Sequence, residues 1–318
     1  MPPVDRNAPI RAKSSESEIS LMEFMRQFPD DRACLDWLWR ERYAPDGHNA
    51  FCPSCDKQRR FHRVNGRPTY DCDSCGHHIN PTAGTIFHKS STSLQLWFYA
   101  MWIITSTRCG VSAKQLEREL GVTYKTAWRM FNLIRNELMK QDDGGTLTGE
   151  IEADETWIGG KMRQSDRRKA AAAGITVGPH AKKRQTAFAA VERGGRVLAL
   201  HVPSRYGYTL RSTIADNVRP LSTVYTDDYS GYNGISRRYT HRRINHSARV
   251  YVDGDVHTQT VEGFFSLVKN GIRGVYHSVS AKWLQGYLNE YAWRYNHRDD
   301  RAAMFERLLA RAATTLSA

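Results

Sequence analysis

The chain has 318 residues, 46 of them Lys or Arg against 33 Asp or Glu, for a formal net charge of +13. That length suits two or three domains with cores of their own, and the charge points to a polyanionic partner, nucleic acid ahead of an anionic membrane. No apolar run is long enough to span a bilayer and the polar start lacks a signal-peptide core, so a membrane-embedded or secreted class is excluded and a cytoplasmic location is expected.

Residues 1–18 mix Pro, Ser, Arg and Glu without periodicity and read as disordered. Residues 19–50 read as two N-terminal helices. Leu21, Met22, Phe24, Met25 and Phe28 have helical spacing, and a second helix is expected from Asp31, as N-cap, through Leu35, Leu38 and Trp39 to about Tyr43. Six cysteines are too few for a disulfide scaffold, but four of them form two Cys-x-x-Cys pairs, Cys52/Cys55 and Cys72/Cys75. Pairs at this spacing place four thiolates tetrahedrally around one zinc ion, so 51–80 reads as a zinc ribbon. Phe61 to Val64 and Thr69 to Cys72 are its expected strands, turning at Asn65-Gly66. Four sulfurs leave no vacancy, so that zinc is structural; His62, His77 and His78 are weaker ligand candidates.

Residues 93–141 read as a helix-turn-helix region. Leu94 to Ser106 is strongly apolar, and Ser112-Ala-Lys-Gln115 is a capping-box signature followed by a helix from Gln115 to Leu120. Gly121-Val-Thr123 makes the turn and Thr123 caps a helix from Tyr124 to about Met139. Tyr124, Lys125, Thr126 and Arg129 lie near the start of that second helix, where such helices meet base edges and phosphates. Any helical hairpin can mimic the pattern, and Trp128, Phe131, Leu133 and Ile134 read as packing.

From 147 to 300 the pattern becomes α/β. Glu150 to Trp157 reads as a strand with Glu150, Glu152 and Asp154 on one face and Ile151 and Ala153 on the other; Glu155 points away from Asp154. A basic loop follows between Gly160 and Thr186, then a hairpin, a helix over Thr209 to Val218, and a short run from Ser222 delivering Asp227 and Asp228. Basic residues (Arg237, Arg238, Arg242, Arg243, Arg249, His241, His246) lead to an apolar helix capped near Thr258 or Thr260, which carries Glu262 and Lys269. A last long helix spans Ser280 to His297, and 301–318 is left as a C-terminal helix or tail.

This order is that of an RNase H-like domain with Asp154 on its first strand, Asp227 at the end of the fourth and Glu262 on the closing helix. Hard carboxylate oxygens suit Mg²⁺ or Mn²⁺, and two such ions about 3.5–4 Å apart serve an in-line displacement at phosphorus. Each acid alone reads as a surface residue; the order of all three is what points to a site.

Cys52-Pro-Ser-Cys55 with Cys72 and Cys75, Pro81-Thr-Ala-Gly-Thr-Ile-Phe87, Glu152-Ala-Asp-Glu-Thr-Trp-Ile-Gly-Gly-Lys161, Thr226-Asp-Asp-Tyr-Ser-Gly-Tyr232, His257 to Lys269 and Tyr291 to Arg298 together resemble the ISXO-like bacterial insertion-sequence transposases of the DDE class. The resemblance runs from about Leu21 to Arg298. It implies a zinc-ribbon and helix-turn-helix half that binds double-stranded DNA, then an RNase H-like (retroviral integrase-like) catalytic half in a nucleoid-associated protein. It also implies Asp154, Asp227 and Glu262 as ligands of two catalytic Mg²⁺ or Mn²⁺ ions, Lys269 as a DNA contact, and a homodimer or higher oligomer on DNA. The expected reaction frees a 3′-OH at an element end, and that hydroxyl then attacks target DNA. Two departures stand out: Gln259 replaces a common Asn, and the segment Tyr43 to Phe51 is longer than usual. A non-catalytic DNA-binding relative and a nuclease that cuts without joining remain as alternatives.

Overall fold

The computed structural model describes residues 19–107, 109–141, 145–162, 164–176, 182–244, 257–300 and 303–314. The expected disorder of 1–18, the basic residues His246 and Arg249, and the ends of the C-terminal tail lie outside them. The fold is mixed α/β, with two sheets and ten α-helices among the described residues. Contacts divide it into two compact units: one runs to Leu138 and resumes at His297, and the other is Met139–Asn296. No described helix is long and apolar enough to cross a membrane.

In the first unit, α1 (Leu21–Gln27) starts at a capping box in which Ser20 and Glu23 satisfy each other's amides. Helix α2 (Asp31–Arg42) is capped by Asp30 rather than the expected Asp31. Asp31 instead reinforces the start of α3 (Leu94–Ser106), which is capped by Ser93: its Oδ1 accepts from Ser93 Oγ at 2.5 Å and from Gln95 N–H at 2.9 Å. Two adjacent carboxylates thus serve two helix starts, a division that sequence spacing does not reveal.

Four antiparallel strands follow in chain order, β1 (Asn49–Cys52), β2 (Lys57–Arg63), β3 (Tyr70–Cys72) and β4 (His78–Ile79). The β2–β3 hairpin is expected from sequence; the outer strands are not, being only four and two residues long. Phe61 faces Cys72 in register, and Gly66 takes φ +73° in the turn, a conformation that needs no Cβ. Trp39 stacks on Tyr70 at 4.2 Å between centroids and anchors this small core.

Helix α4 (Ala113–Leu120) ends on left-handed Gly121, and α5 (Tyr124–Leu133) opens on Thr123, whose hydroxyl accepts the Thr126 N–H. The α-helical hydrogen bonding expected to continue to Met139 stops at Leu133 and widens into a π turn over Ile134–Leu138.

The second unit holds β5 (Glu150–Lys161), α6 (Gln164–Ala172), β6 (Lys182–Glu192), β7 (Val197–Val202), α7 (Gly207–Asn217), β8 (Thr223–Asp227), β9 (Thr240–Ile244), α8 (Gln259–Gly271) and α9 (Leu284–Asn296). The sheet order is β7-β6-β5-β8-β9, antiparallel up to β5 and parallel beyond it. Where a basic loop is expected after β5, α6 forms; it buries nothing, so no apolar period announces it. The expected helix from Ser280 begins with a 3-10 turn, Ala281–Trp283, before α9.

Strand alternation sorts the core into two faces. Ile151 and Ala153 pack with Leu210 and Ile214 of α7, while Ile158 packs with Val261, Phe264 and Phe265 of α8 and Leu288 of α9. Gly271 permits close contact of α8 with α9, since a Cβ there would lie 1.5 Å from the Tyr291 hydroxyl. The last helix, α10 (Met304–Ala313), belongs to the first unit, where Phe305 meets Phe24 and Phe28 edge-on.

Candidate active site and thiolate cluster

Cys52 closes β1 and Cys72 closes β3, while Cys55 and Cys75 lie in the turns that follow. Asp56 and Gly76, each directly after the second cysteine of its pair, are both left-handed (φ +51° and +71°), so the two turns have matching backbones. The sulfurs gather within 4.8 Å of one another, with Cys52–Cys75 at 3.6 Å and Cys55–Cys72 at 4.0 Å. Tetrahedral zinc with Zn–S bonds of about 2.3 Å requires sulfurs about 3.8 Å apart, so the donor set fits zinc. Ser54 Oγ lies 2.9 Å from His77 Nδ1, and His62 and His78 are exposed on strands; none of the three histidines joins the thiolates.

The acids sit in the second unit. Asp154 is on β5, the central strand, two residues beyond the last β5–β8 pair, Glu152 opposite Tyr225. The same parallel register carried two residues further sets Asp154 beside Asp227 at the end of β8. Glu262 lies in the first turn of α8, which packs on the Asp154 face of the sheet, and its carboxylate accepts from the Thr258 hydroxyl at 2.9 Å. Asp154 feels the other two acids. Burial first, then the charges of Glu155, Asp227 and Glu262, push the Asp154 carboxyl up from 3.8 to about 7, against one hydrogen bond from the Glu155 N–H. They do not close to the thiolate cluster's 4.8 Å spacing, which the four cysteines alone reach among the described residues. A carboxylate group that raises a member's pKa by mutual repulsion is a donor set suited to hard divalent cations.

Asp227 also accepts the Tyr229 N–H at 3.1 Å, whereas Asp228 is exposed. Lys269 lies seven residues beyond Glu262 on α8. It lines a cavity of about 570 Å³ together with Trp157, Gln185, Arg273 and His277. In the first unit, Tyr124, Lys125 and Arg129 are exposed at the start of α5, and Thr126 is half-buried against its cap.

Two features lie outside the sequence expectation. Glu155, on the opposite parity of β5 from Asp154, is held by Arg205 at 2.6 Å and by the Tyr232 hydroxyl at 2.5 Å; burial raises its pKa and these two partners oppose the rise. Glu152, expected on the same acidic face as exposed Glu150, is 0 % exposed and bonded to the start of α8. Alternation assigns a face, but only the position of α8 decides which carboxylate on that face is covered.

The ISXO2-like transposase domain profile matches residues 146–296. An uncharacterized protein in transposable element ISH50 of Halobacterium salinarum is 27% identical over 280 residues, covering 85% of this chain and 92% of the relative. An uncharacterized transposase-like protein of Haemophilus influenzae is 27% identical over 105 residues, 33% of this chain and 84% of that protein.

Proposed function

We propose, from the match of residues 146–296 to the ISXO2-like transposase domain, that the chain is an insertion-sequence transposase that binds element ends, cuts the phosphodiester there and joins the freed end to target DNA. The observation that carries this reading is the geometry of three elements: the β5–β8 register leads to Asp154 and Asp227 side by side, and α8, packed on the same face of the sheet, carries Glu262 in its first turn; the upward shift of the Asp154 pKa by burial and by the neighbouring carboxylates agrees with it. The β7-β6-β5-β8-β9 order, with acids on the first strand, the end of the fourth and the following helix, supports an RNase H-like catalytic domain. Asp154, Asp227 and Glu262 would hold two Mg²⁺ or Mn²⁺ ions. Bound there, such ions activate the attacking oxygen and stabilise the leaving one.

The chain's own residues supply the rest. The three carboxylates would hold the cations against the backbone, with Asp154 in its ionised form as a ligand. Lys269, two turns along α8 from Glu262, offers a cation to a neighbouring phosphate. Joining two ends to one target requires at least two copies of the chain on DNA. The test is an end-containing duplex with Mg²⁺ or Mn²⁺, plus a pre-cut end with a target plasmid. Cleavage with joining is the expected result; cleavage alone would identify a nuclease, and binding alone a non-catalytic DNA-binding protein.

DNA contact extends beyond α5 in this reading. Between α2 and β2 a hollow of about 310 Å³ is lined by Arg32, Arg40, His48, Arg60, His62 and Arg63, with Asp36 as its acid. Asp36 is engaged by Arg63 at 3.3 Å and by the Tyr70 hydroxyl. Such a concentration of cations suits a phosphodiester backbone. Arg40→Ala with Arg60→Ala is expected to weaken end binding about equally for all sequences and to lower the salt slope by roughly two. An unchanged slope in a salt titration would remove this surface from the DNA path.

A further inference from the structure

We propose that Glu152 is the positioning residue of the carboxylate site, a buried joint that fixes Asp154, Asp227 and Glu262 relative to one another. The inference rests on the reading of those acids as cation ligands. Glu152 is fully buried, two residues before Asp154 and on the same face of β5. Both of its oxygens are used. Oε2 accepts the Thr260 N–H at 2.8 Å and the Val261 N–H at 3.2 Å, the residues just before Glu262. Oε1 accepts from Arg193 Nε and Thr260 Oγ1, both at 3.0 Å, with His257 Nδ1 3.1 Å away.

The joint reaches all three acids within two residues of each. Tyr225 stands opposite Glu152 in the β5–β8 ladder, and the Arg193 guanidinium lies 3.9 Å from the centre of its ring. Tyr225 is two residues before Asp227. Arg193 also donates from Nη2 to the His257 carbonyl at 3.0 Å, holding the chain that enters α8. Helix α8 depends on this arrangement because Thr258, at its N-cap, makes no side-chain cap bond. The Thr258 hydroxyl is given to Glu262 instead. The first amides of the helix are therefore capped from the sheet, and Glu262 follows them.

Energetics favour a positioning role over simple packing. Burying a carboxylate costs several kcal/mol before its partners offset it, and apolar residues of similar volume are often as stable or more so. A charged joint between strand and helix fixes distance and direction, which an apolar contact does not. Hydrogen-bonding partners of this kind behind metal ligands typically change affinity or activity by about 10- to 100-fold when altered.

Glu152→Gln keeps the size and one acceptor but removes the charge. In the zinc-loaded, magnesium-free protein, we expect hydrogen exchange at the Val261 and Glu262 amides to accelerate roughly tenfold or more. The Mg²⁺ concentration that half-saturates the thermal upshift should rise about tenfold, and kcat for end cleavage should fall by a similar factor while KM for DNA stays within about twofold. Thr260→Val, which removes a single donor, should move the same readouts part of the way and serves if Glu152→Gln does not fold. A lower melting temperature with an unchanged Mg²⁺ midpoint would overturn the proposal and leave Glu152 as a core anchor. Asp154→Asn is the control. If it too leaves the Mg²⁺ upshift intact, the cation site itself is misassigned; if it abolishes the upshift while Glu152→Gln leaves the Mg²⁺ midpoint unchanged, only the joint fails.

Discussion

Asp154→Asn is expected to lower end cleavage by about three orders of magnitude or more, while making the cation-free protein more stable at neutral pH. The first effect follows from the proposed role of Asp154: without that carboxylate the site would lose a ligand of a catalytic ion, a contribution of several kcal/mol at about 1.4 kcal/mol per tenfold. The second follows from its environment. Burial, Glu155, Asp227 and Glu262 raise its pKa from 3.8 to about 7. A carboxyl whose folded pKa lies above its unfolded value favours the fold while protonated. That stabilisation is fully present below the unfolded pKa and is lost as pH rises through the folded one. Without divalent cations the wild-type protein should therefore lose stability between about pH 4 and above pH 7, and Asp154→Asn should not show this slope. The difference at neutral pH is at most a few kcal/mol, reduced by solvent at the partly open site, or several degrees in melting temperature. Melts across pH 5–8 in magnesium-free buffer that retains zinc measure it. Parallel pH slopes for the two proteins would show that burial and the neighbouring acids do not disfavour the Asp154 charge, and the cation reading would lose that support.

What the sequence discloses about this site depends on how local the determining interactions are. The two Cys-x-x-Cys pairs and the Asn65-Gly66 turn are short-range signals, and the β2–β3 hairpin is legible from them. The alternation of Ile151 and Ala153 with the acids of β5 places Glu152 and Asp154 on one face, because period two is a property of the strand itself. Long-range events are not written so openly. Nothing in the spacing separates exposed Glu150 from buried Glu152, since the difference arises when the amides of α8 arrive from more than a hundred residues away. Strand β9 hides behind Thr240-His-Arg-Arg-Ile244, a polar edge with one buried residue at its end. Helix α6 has no buried face at all, and α10 joins the first unit from the far end of the chain. The two carboxylates Asp30 and Asp31 illustrate the same limit at a single step: both suit a helix start, and only the tertiary arrangement assigns each to its own.

Removing zinc should have the other large effect, and a different one. In the sheet of the first unit three of the four strands have four residues or fewer, and two of the four cysteines, Cys52 and Cys72, are part of its buried core alongside Trp39, Phe61 and Tyr70. So small a core does not hold four strands by apolar burial alone, whereas structural zinc contributes on the order of 10 kcal/mol or more to such folds. Cys72→Ser, or stripping zinc with a chelator, is therefore expected to melt β1–β4 and release Trp39 from its stack on Tyr70, read as a red-shifted tryptophan emission and loss of near-UV dichroism. With the sheet goes the hollow formed by Arg40, Arg60 and Arg63, so end binding should fall by at least about tenfold. The second unit has its own core on both faces of its sheet and should keep its melting transition and its Mg²⁺ response. One zinc per chain, lost together with the Trp39 signal, is the expected stoichiometry. A zinc-free protein with native fluorescence and undiminished end binding would mean that the four thiolates hold no structural ion, and that α2 and the strands stand without it.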